Sequence, residues 1–390
     1  MTLTPIHDAP ITGAMVWRGE DLAGKEDITI RLSARNVAAL EELLERNRDR
    51  ARDDIELEHS SHPDLDADLR AAYREVMFGK GLIVLAGFPL DGHDIDEIER
   101  IYWMVCTHFG RLVSNNSFGH RMVRVQQEVL ADGAQPARGT KSNGELAMHN
   151  DAADILALLW IHQAAKGGES QFSSGPAAHN EILRTRPDLL PILYRGFPHH
   201  RRSEQPDDQP DVTPYDVPIF SNVGGRICIN FTYSSILPAL HATGRELTDQ
   251  ETEAVEVLRE VLVRQQFEFR QERGEAVIGN NFAMCHSRSD FVDGDDPDTR
   301  RLLLRAWMEV PIEDRRLPIG REFFHMENED GRLGYDPVPG REGRVAINDY
   351  ANVDESLANL FKAAQAKPRL PAGAAGADGA DGADGPSGGA

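Results

Sequence analysis

Apolar positions in the first hundred residues recur at intervals of three and four, then give way to unbroken runs. In "SARNVAALEELLERNRDRARDD" (33–54), Val37, Leu40, Leu43 and Leu44 share one helical face behind Ser33, whose hydroxyl suits an N-cap. "HPDLDADLRAAYREVMFGK" (62–80) predicts a second helix, and "DIDEIERIYWMVCTHFG" (94–110) a third that stops at Gly110. Between them "GLIVLAGFPL" (81–90) is a short apolar run bounded by glycine and proline, the pattern of a buried strand.

From about residue 111 the texture changes. Short apolar runs ("ILALLWIHQA", "ESQFSS", "VPIFSN", "RICINFTY", "EAVIGNNFAMCH", "LLLRAWMEV") alternate with Gly, Pro and Asn. Two helical patterns, 175–186 and 248–269, interrupt them. So many short strands predict a mainly β fold with helical insertions, a sandwich or a barrel. The expected organisation is an N-terminal extension with a helical cap over 1–80, a β-rich domain over 81–365 and a tail over 366–390. That tail repeats Gly-Ala-Asp without any large side chain and reads as a flexible acidic segment. The Gly-, Asn- and Ser-rich stretch 111–143 reads equally as a lid or as an ordinary surface excursion.

Composition narrows the function. A chain of 390 residues with 40% hydrophobic residues can bury a large core. Its net charge of -22 repels phosphate backbones and anionic membranes, so neither nucleic acid nor membrane is expected as a partner. Cys106, Cys228 and Cys285 lie far apart without CxxC spacing, which argues against a disulfide framework or zinc ribbon and suits a reducing cytoplasm. No signal peptide is evident in "MTLTPIHDAPITGAM", and "ILALLWI" is too short to span a bilayer. The expectation is a cytoplasmic protein acting on a small molecule, in a homo-oligomer or alone.

The candidate chemistry begins at "GELAMHNDAAD", which carries His149-Asn150-Asp151. At a strand end, residues two apart project to one face and can share a cation. Among 14 histidines such a pair is a weak signal, so a third ligand is needed. Two His and one carboxylate on one face of an ion form the arrangement of non-haem Fe(II) oxygenases. His179 lies in a helical pattern and His199-His200 in a polar loop, so these three are expected to be solvated. His162 reads as a hydrogen-bonded core residue. His286 differs, closing the apolar strand "AVIGNNFAMCH" on polar residues. Fifteen residues later Arg301 and Arg305 sit within "TRRLLLRAWMEV", where a buried cation needs an anionic partner, either a carboxylate of the chain or a ligand.

Taken in order, these segments resemble the taurine dioxygenase-like (TauD/TfdA) family of Fe(II)/2-oxoglutarate-dependent oxygenases. "ELAMHNDAADILALLWIHQAAKGGES" looks like the family's first metal motif, next strand and Gly-Gly turn. "SSGPAAHNEILRTRPDLLPILY" resembles the helix that follows, and "NNFAMCHSRSDFVDGDDPDTRRLLLRAW" the distal segment. The resemblance covers roughly residues 80–312. It implies a double-stranded β-helix (jelly roll, cupin-like) core, with His149, Asp151 and His286 as iron ligands. It also implies that Arg301 and Ser170 bind the distal carboxylate of 2-oxoglutarate, and that Arg305 faces the substrate. The cofactors implied are Fe(II), 2-oxoglutarate and O2. Asn150 departs from the commoner Thr between the ligands. Members that halogenate replace the carboxylate with a small residue, so Asp151 implies hydroxylation or a related oxidation. The alternatives are a cupin-like metal-dependent isomerase or hydrolase on the same ligands, and a non-catalytic β-helix binding module.

Overall fold

A computed structural model describes residues 3–116, 118–127, 142–202, 205, 209–296, 299–316 and 318–320. The chain begins with β1 (Thr29–Arg31), α1 (Ala34–Arg46), α2 (Leu57–Ser60), α3 (Asp66–Phe78), β2 (Leu82–Ala86) and α4 (Ile95–Thr107). Next come β3 (Arg111–Val113), β4 (Met122–Val125), β5 (Leu146–His149), β6 (Ile155–His162), β7 (Lys166–Gly167) and β8 (Ser170–Ser174). Two helices, α5 (Gly175–Thr185) and α6 (Leu190–Arg195), precede β9 (Phe220–Val223) and β10 (Arg226–Ile229). Then follow α7 (Tyr233–Thr243), α8 (Asp249–Arg264), β11 (Phe267–Phe269), β12 (Glu275–Asn280), β13 (Met284–Arg288), β14 (Phe291–Val292) and β15 (Leu302–Glu309).

Two sheets carry the fold. The larger runs β1-β2-β12-β6-β15-β3, with β4 also on β15, and only its β1–β2 pair is parallel. The smaller is antiparallel in the order β11-β8-β13-β5. Alternation along each strand sends side chains to two different layers. On β6, Ile155, Ala157 and Leu159 face helices α1, α3 and α4, together with Leu304, Ala306 and Met308 of β15. The opposite face, with Trp160, Val277 and Leu303, meets Phe172, Phe267, Phe269 and Met284 of the smaller sheet. Helices α5 to α8 cover the far side of that sheet, burying Met148 and Cys285. Each fully buried leucine or phenylalanine contributes about 2 kcal/mol. A site between the sheets is therefore lined by alternate residues of β6, β8, β13 and β15.

The sequence-based elements hold with local differences. Ser33 caps α1, its hydroxyl accepting from the Asn36 N–H at 3.3 Å. That helix stops at Arg46, short of the 33–54 pattern, because the Asn47 side chain donates to the Leu43 and His59 carbonyls (2.9 and 3.0 Å). The helix expected over 62–80 begins at Asp66, whose carboxylate accepts from the His62 N–H at 2.8 Å. The helix expected over 248–269 ends at Arg264, and its last residues form β11 instead, where Phe267 and Phe269 alternate inward onto β8. Residues on both sides of 80 share one core, since Leu40, Leu43 and Leu69 cluster with Ile83, Tyr102 and Leu304. The tail over 366–390 lies outside the described residues, as do residues 321–365 of the β-rich domain.

Candidate active site

His149 closes β5 directly opposite His286 of β13. Their rings are 4.3 Å apart, and His149 Nε2 is 3.9 Å from Asp151 Oδ1. One ligand atom from each of His149, Asp151 and His286 lies within 4.8 Å of the others. The His149 Nδ1–H donates to the Ala147 carbonyl at 2.8 Å, which fixes the tautomer and leaves Nε2 with its lone pair facing the cluster. Burial pushes both imidazoles down, His286 to about 3 with His149 adding to the effect, so both are neutral donors at physiological pH.

Asp151 is set up as an anion. Burial alone would raise its carboxyl, yet Arg305, His286, His149 and the Trp307 indole N–H together hold it below the usual carboxylate range. Trp307 Nε1 donates to Oδ2 at 2.9 Å and Arg305 Nη1 lies 3.4 Å from the same oxygen, leaving Oδ1 on the histidine side. Arg305 also donates through Nε to Asn115 Oδ1 at 3.1 Å, and its guanidinium lies 4.6 Å over the Trp307 ring.

Asn150 joins the two arms of the cluster. Its amide donates to the carbonyls of Asn281 (2.6 Å) and Met284 (2.7 Å), the latter two residues before His286. Its Oδ1 accepts from the Phe231 N–H at 2.7 Å, and its own N–H donates to the Phe231 carbonyl at 2.9 Å. Asn281 in turn accepts the Asp151 N–H and donates to the Asp151 carbonyl (3.0 and 2.6 Å). The His-x-Asp segment is thus pinned to the strand that supplies the second histidine.

The same cavity extends to Arg301, the residue just before β15. Together with Ser170, Phe172, Trp160 and Leu303 it lines the space that reaches His149, Asp151 and His286. Its backbone N–H donates to Asp293 Oδ1 at 2.9 Å, but its Nε is buried without an acceptor. Burial, with Arg288 adding, pushes its pKa down to about 9. The guanidinium lies 5.0 Å from the Phe291 ring centre and 5.9 Å from that of Trp160. Arg288, its neighbour, is different: it donates to the carbonyls of Ser142, Gly144 and Ser289. The Gly167-Gly168 turn, with φ of 70° and 73°, allows this crowding, since a Cβ at Gly167 would lie 2.1 Å from the Asp290 carbonyl oxygen.

All six sequence-based candidates (His149, Asp151, His286, Arg301, Ser170 and Arg305) line this single cavity. Three expectations about other histidines were wrong. His179 and His199 are fully buried and His200 nearly so, because tertiary partners replace solvent. His179 Nε2 meets the Tyr194 hydroxyl at 3.0 Å, and the His199 backbone N–H donates to Thr213 Oγ1. His162, expected in the core, is only half-buried at the end of β6. Sequence reasoning missed Trp307, Asn115 and the linking role of Asn150. Trp307 was within reach, since period-two alternation puts it on the face of β15 that carries Arg301 and Arg305. In the stretch 111–143, β3 and β4 belong to the larger sheet and Val125 lines the cavity, while 128–141 lie outside the described residues.

The family described as "Taurine catabolism dioxygenase TauD, TfdA family" matches residues 40–307. An "FR-33289 synthase" from Streptomyces rubellomurinus is 28% identical over 316 residues, covering 79% of this chain and 93% of that one. An asparagine oxygenase solved with Fe(II), 3-hydroxyasparagine and succinate superposes with a TM-score of 0.57 at 17% identity, covering 72% and 93% of the two chains. The non-haem iron oxygenase OrfP, solved with Fe and alpha-ketoglutaric acid, gives 0.54 at 14% identity, over 73% and 94%.

Proposed function

From the premise that the chain belongs to the TauD/TfdA family, and so is a non-haem iron, 2-oxoglutarate-dependent dioxygenase, we propose that it hydroxylates an unactivated C–H of a small polar molecule, an amino acid or natural-product intermediate. The observation that carries this reading is one cavity with a two-histidine, one-carboxylate cluster and, farther in, a buried arginine whose Nε lacks an acceptor. An isomerase or hydrolase on the same three ligands gives no reason for Arg301, and a binding module gives none for three convergent donors.

The donor set fits Fe(II): two neutral imidazoles and an ionised carboxylate, each oriented by a hydrogen-bond partner or a close neighbour. His149, Asp151 and His286 would hold the iron. Arg301 would clamp the distal carboxylate of 2-oxoglutarate through its planar fork, with Ser170 beside it. When bound, iron and 2-oxoglutarate supply the oxidation, using O2 and releasing succinate and CO2. The protein's share is positioning. The Asn150 links fix the spacing of the ligands, and Trp307 and Arg305 hold Asp151 ionised. Leu146, Leu158, Phe172 and Leu303 give the cavity apolar walls that limit water near the reacting centre.

Arg305 lines the cavity beside Asp151, a place from which it would also meet an anionic group of the substrate. The two facing, mainly antiparallel sheets are read as a double-stranded β-helix, to which the N-terminal helices add a cap. No helix among the described residues is long and apolar enough to cross a membrane. With the acidic charge, this supports a cytoplasmic enzyme that engages neither nucleic acid nor membrane; a homo-oligomer is compatible with it. The substrate class follows the names of the matched proteins: an asparagine oxygenase solved with 3-hydroxyasparagine, OrfP solved with L-Arg, and an FR-33289 synthase.

The test is an anaerobic titration of apo-protein with Fe(II) and then 2-oxoglutarate, watching for the visible metal-to-ligand charge-transfer band. A band in the wild type that disappears in His149→Ala supports the reading, and succinate release across a panel of amino acids then identifies the substrate. A well-folded wild type without the band sinks it.

A further inference from the structure

Among the described residues lining the cavity, two side chains carry a buried donor with no acceptor: Arg301 through Nε and Trp160 through its indole Nε1. Four other polar side chains of the lining are served. The His149 Nδ1–H has the Ala147 carbonyl, Arg288 has three carbonyls, Arg305 has Asp151 and Asn115, and Ser287 has Gln171. The large majority of buried side-chain donors in folded proteins are satisfied, so two exceptions lining one cavity point to a common cause.

Geometry places them together. Trp160 pairs with Leu303 across the β6–β15 ladder, and Arg301 lies two residues before Leu303. The Arg301 guanidinium carbon is 5.9 Å from the centre of the Trp160 ring. Asp293, the acidic side chain whose charge acts on Arg301, takes the Arg301 backbone N–H through Oδ1 and forms no ion pair with the guanidinium. Nothing about packing demands an indole here, since a phenyl ring would fill most of the same space among Leu303, Phe172 and Val277 without bringing in an N–H.

We propose that Trp160 is a cosubstrate-binding residue, its indole N–H donating to the same distal carboxylate of 2-oxoglutarate that Arg301 clamps. A carboxylate offers two oxygens and about four lone-pair directions, enough to take an indole N–H, a guanidinium and the Ser170 hydroxyl at once. The inference rests on the dioxygenase reading above, and it assigns the deep end of the cavity a donor that its sequence motif does not announce.

The test compares two 2-oxo acids on Fe(II)-loaded, anaerobic full-length protein: 2-oxoglutarate, and 2-oxovalerate, which has the same five carbons but no distal carboxylate. Trp160→Phe removes the N–H and keeps most of the ring. The expected result is a rise of about tenfold or more in the Kd for 2-oxoglutarate, as befits loss of a hydrogen bond to a charged group. The Kd for 2-oxovalerate should be almost unchanged, and the melting temperature of the apo-protein unchanged or higher, because an unserved donor has gone. Trp160→Leu should repeat the loss of selectivity. Equal weakening of both acids, or 2-oxoglutarate binding as tightly as in the wild type, overturns the proposal while leaving the dioxygenase reading intact. A wild type that forms no charge-transfer band with either acid overturns both.

Discussion

Arg301, one residue before β15, and Arg305 within it line the same cavity in opposite surroundings. Arg305 is tied to a carboxylate and a side-chain amide, and its charge helps keep Asp151 ionised. Arg301 is packed against two aromatic rings, with its Nε left without an acceptor and its pKa pushed down by burial. The protein completes the electrostatics of the metal end by itself, and on the reading proposed above it leaves those of the deep end to the cosubstrate's carboxylate. The difference teaches where to look for a ligand: at polar groups the fold has buried but not served.

Four experiments would break or sharpen that contrast. The largest effect belongs to the ligands. His286→Ala should lower 2-oxoglutarate turnover by about three orders of magnitude, the several kcal/mol a metal supplies, and should abolish stoichiometric Fe(II) binding in an anaerobic titration. Substitution of each arginine by methionine should then separate the two ends in urea unfolding of the apo-protein. Arg305→Met strands the buried Asp151 charge and should lose about 3 kcal/mol, whereas Arg301→Met removes an unpaired buried cation and should be neutral or stabilising. Equal losses would erase the distinction. Third, Arg301→Ala should raise the Kd for 2-oxoglutarate by about a hundredfold, the scale of a charge-assisted bidentate contact, with iron binding intact by the same titration. The smallest effect is expected at the joint between the arms. Asn150→Ala should cost about 2 kcal/mol through its stranded buried partners, read as a lower melting temperature that Asn150→Thr partly restores.

The residues that could be read from sequence were those whose role is written in local spacing. Asp151 follows His149 by two, Arg305 follows Arg301 by four on a strand of period two, and Gly167-Gly168 announces a tight turn. Ser33 announces its helix in the same way. What stayed hidden depends on partners brought from elsewhere in the chain. Asn150 looks like a spacer until Phe231, Asn281 and Met284 converge on it. His199 and His200 sit in a polar stretch of sequence, yet His200 pairs with Val212 in a β-bridge and the His199 N–H donates to Thr213 Oγ1, which buries both. The end of α8 misled for another reason: the alternation of Phe267 and Phe269 carries a strand signal over only three residues, too few to outweigh sixteen helical ones before it.

One glycine of the backbone makes room for a side chain. At Gly168 an added Cβ would stand 3.4 Å from Arg301 Nε, Gln163 Oε1 and Phe291 Cβ, at the near edge of van der Waals contact. The bare α-carbon there leaves room for the guanidinium on this side. An alanine at 168 would meet both a positive φ unfavourable to L-residues and this wall. A methyl group at this position would press on the arginine proposed to bind the cosubstrate while leaving His149, Asp151 and His286 untouched.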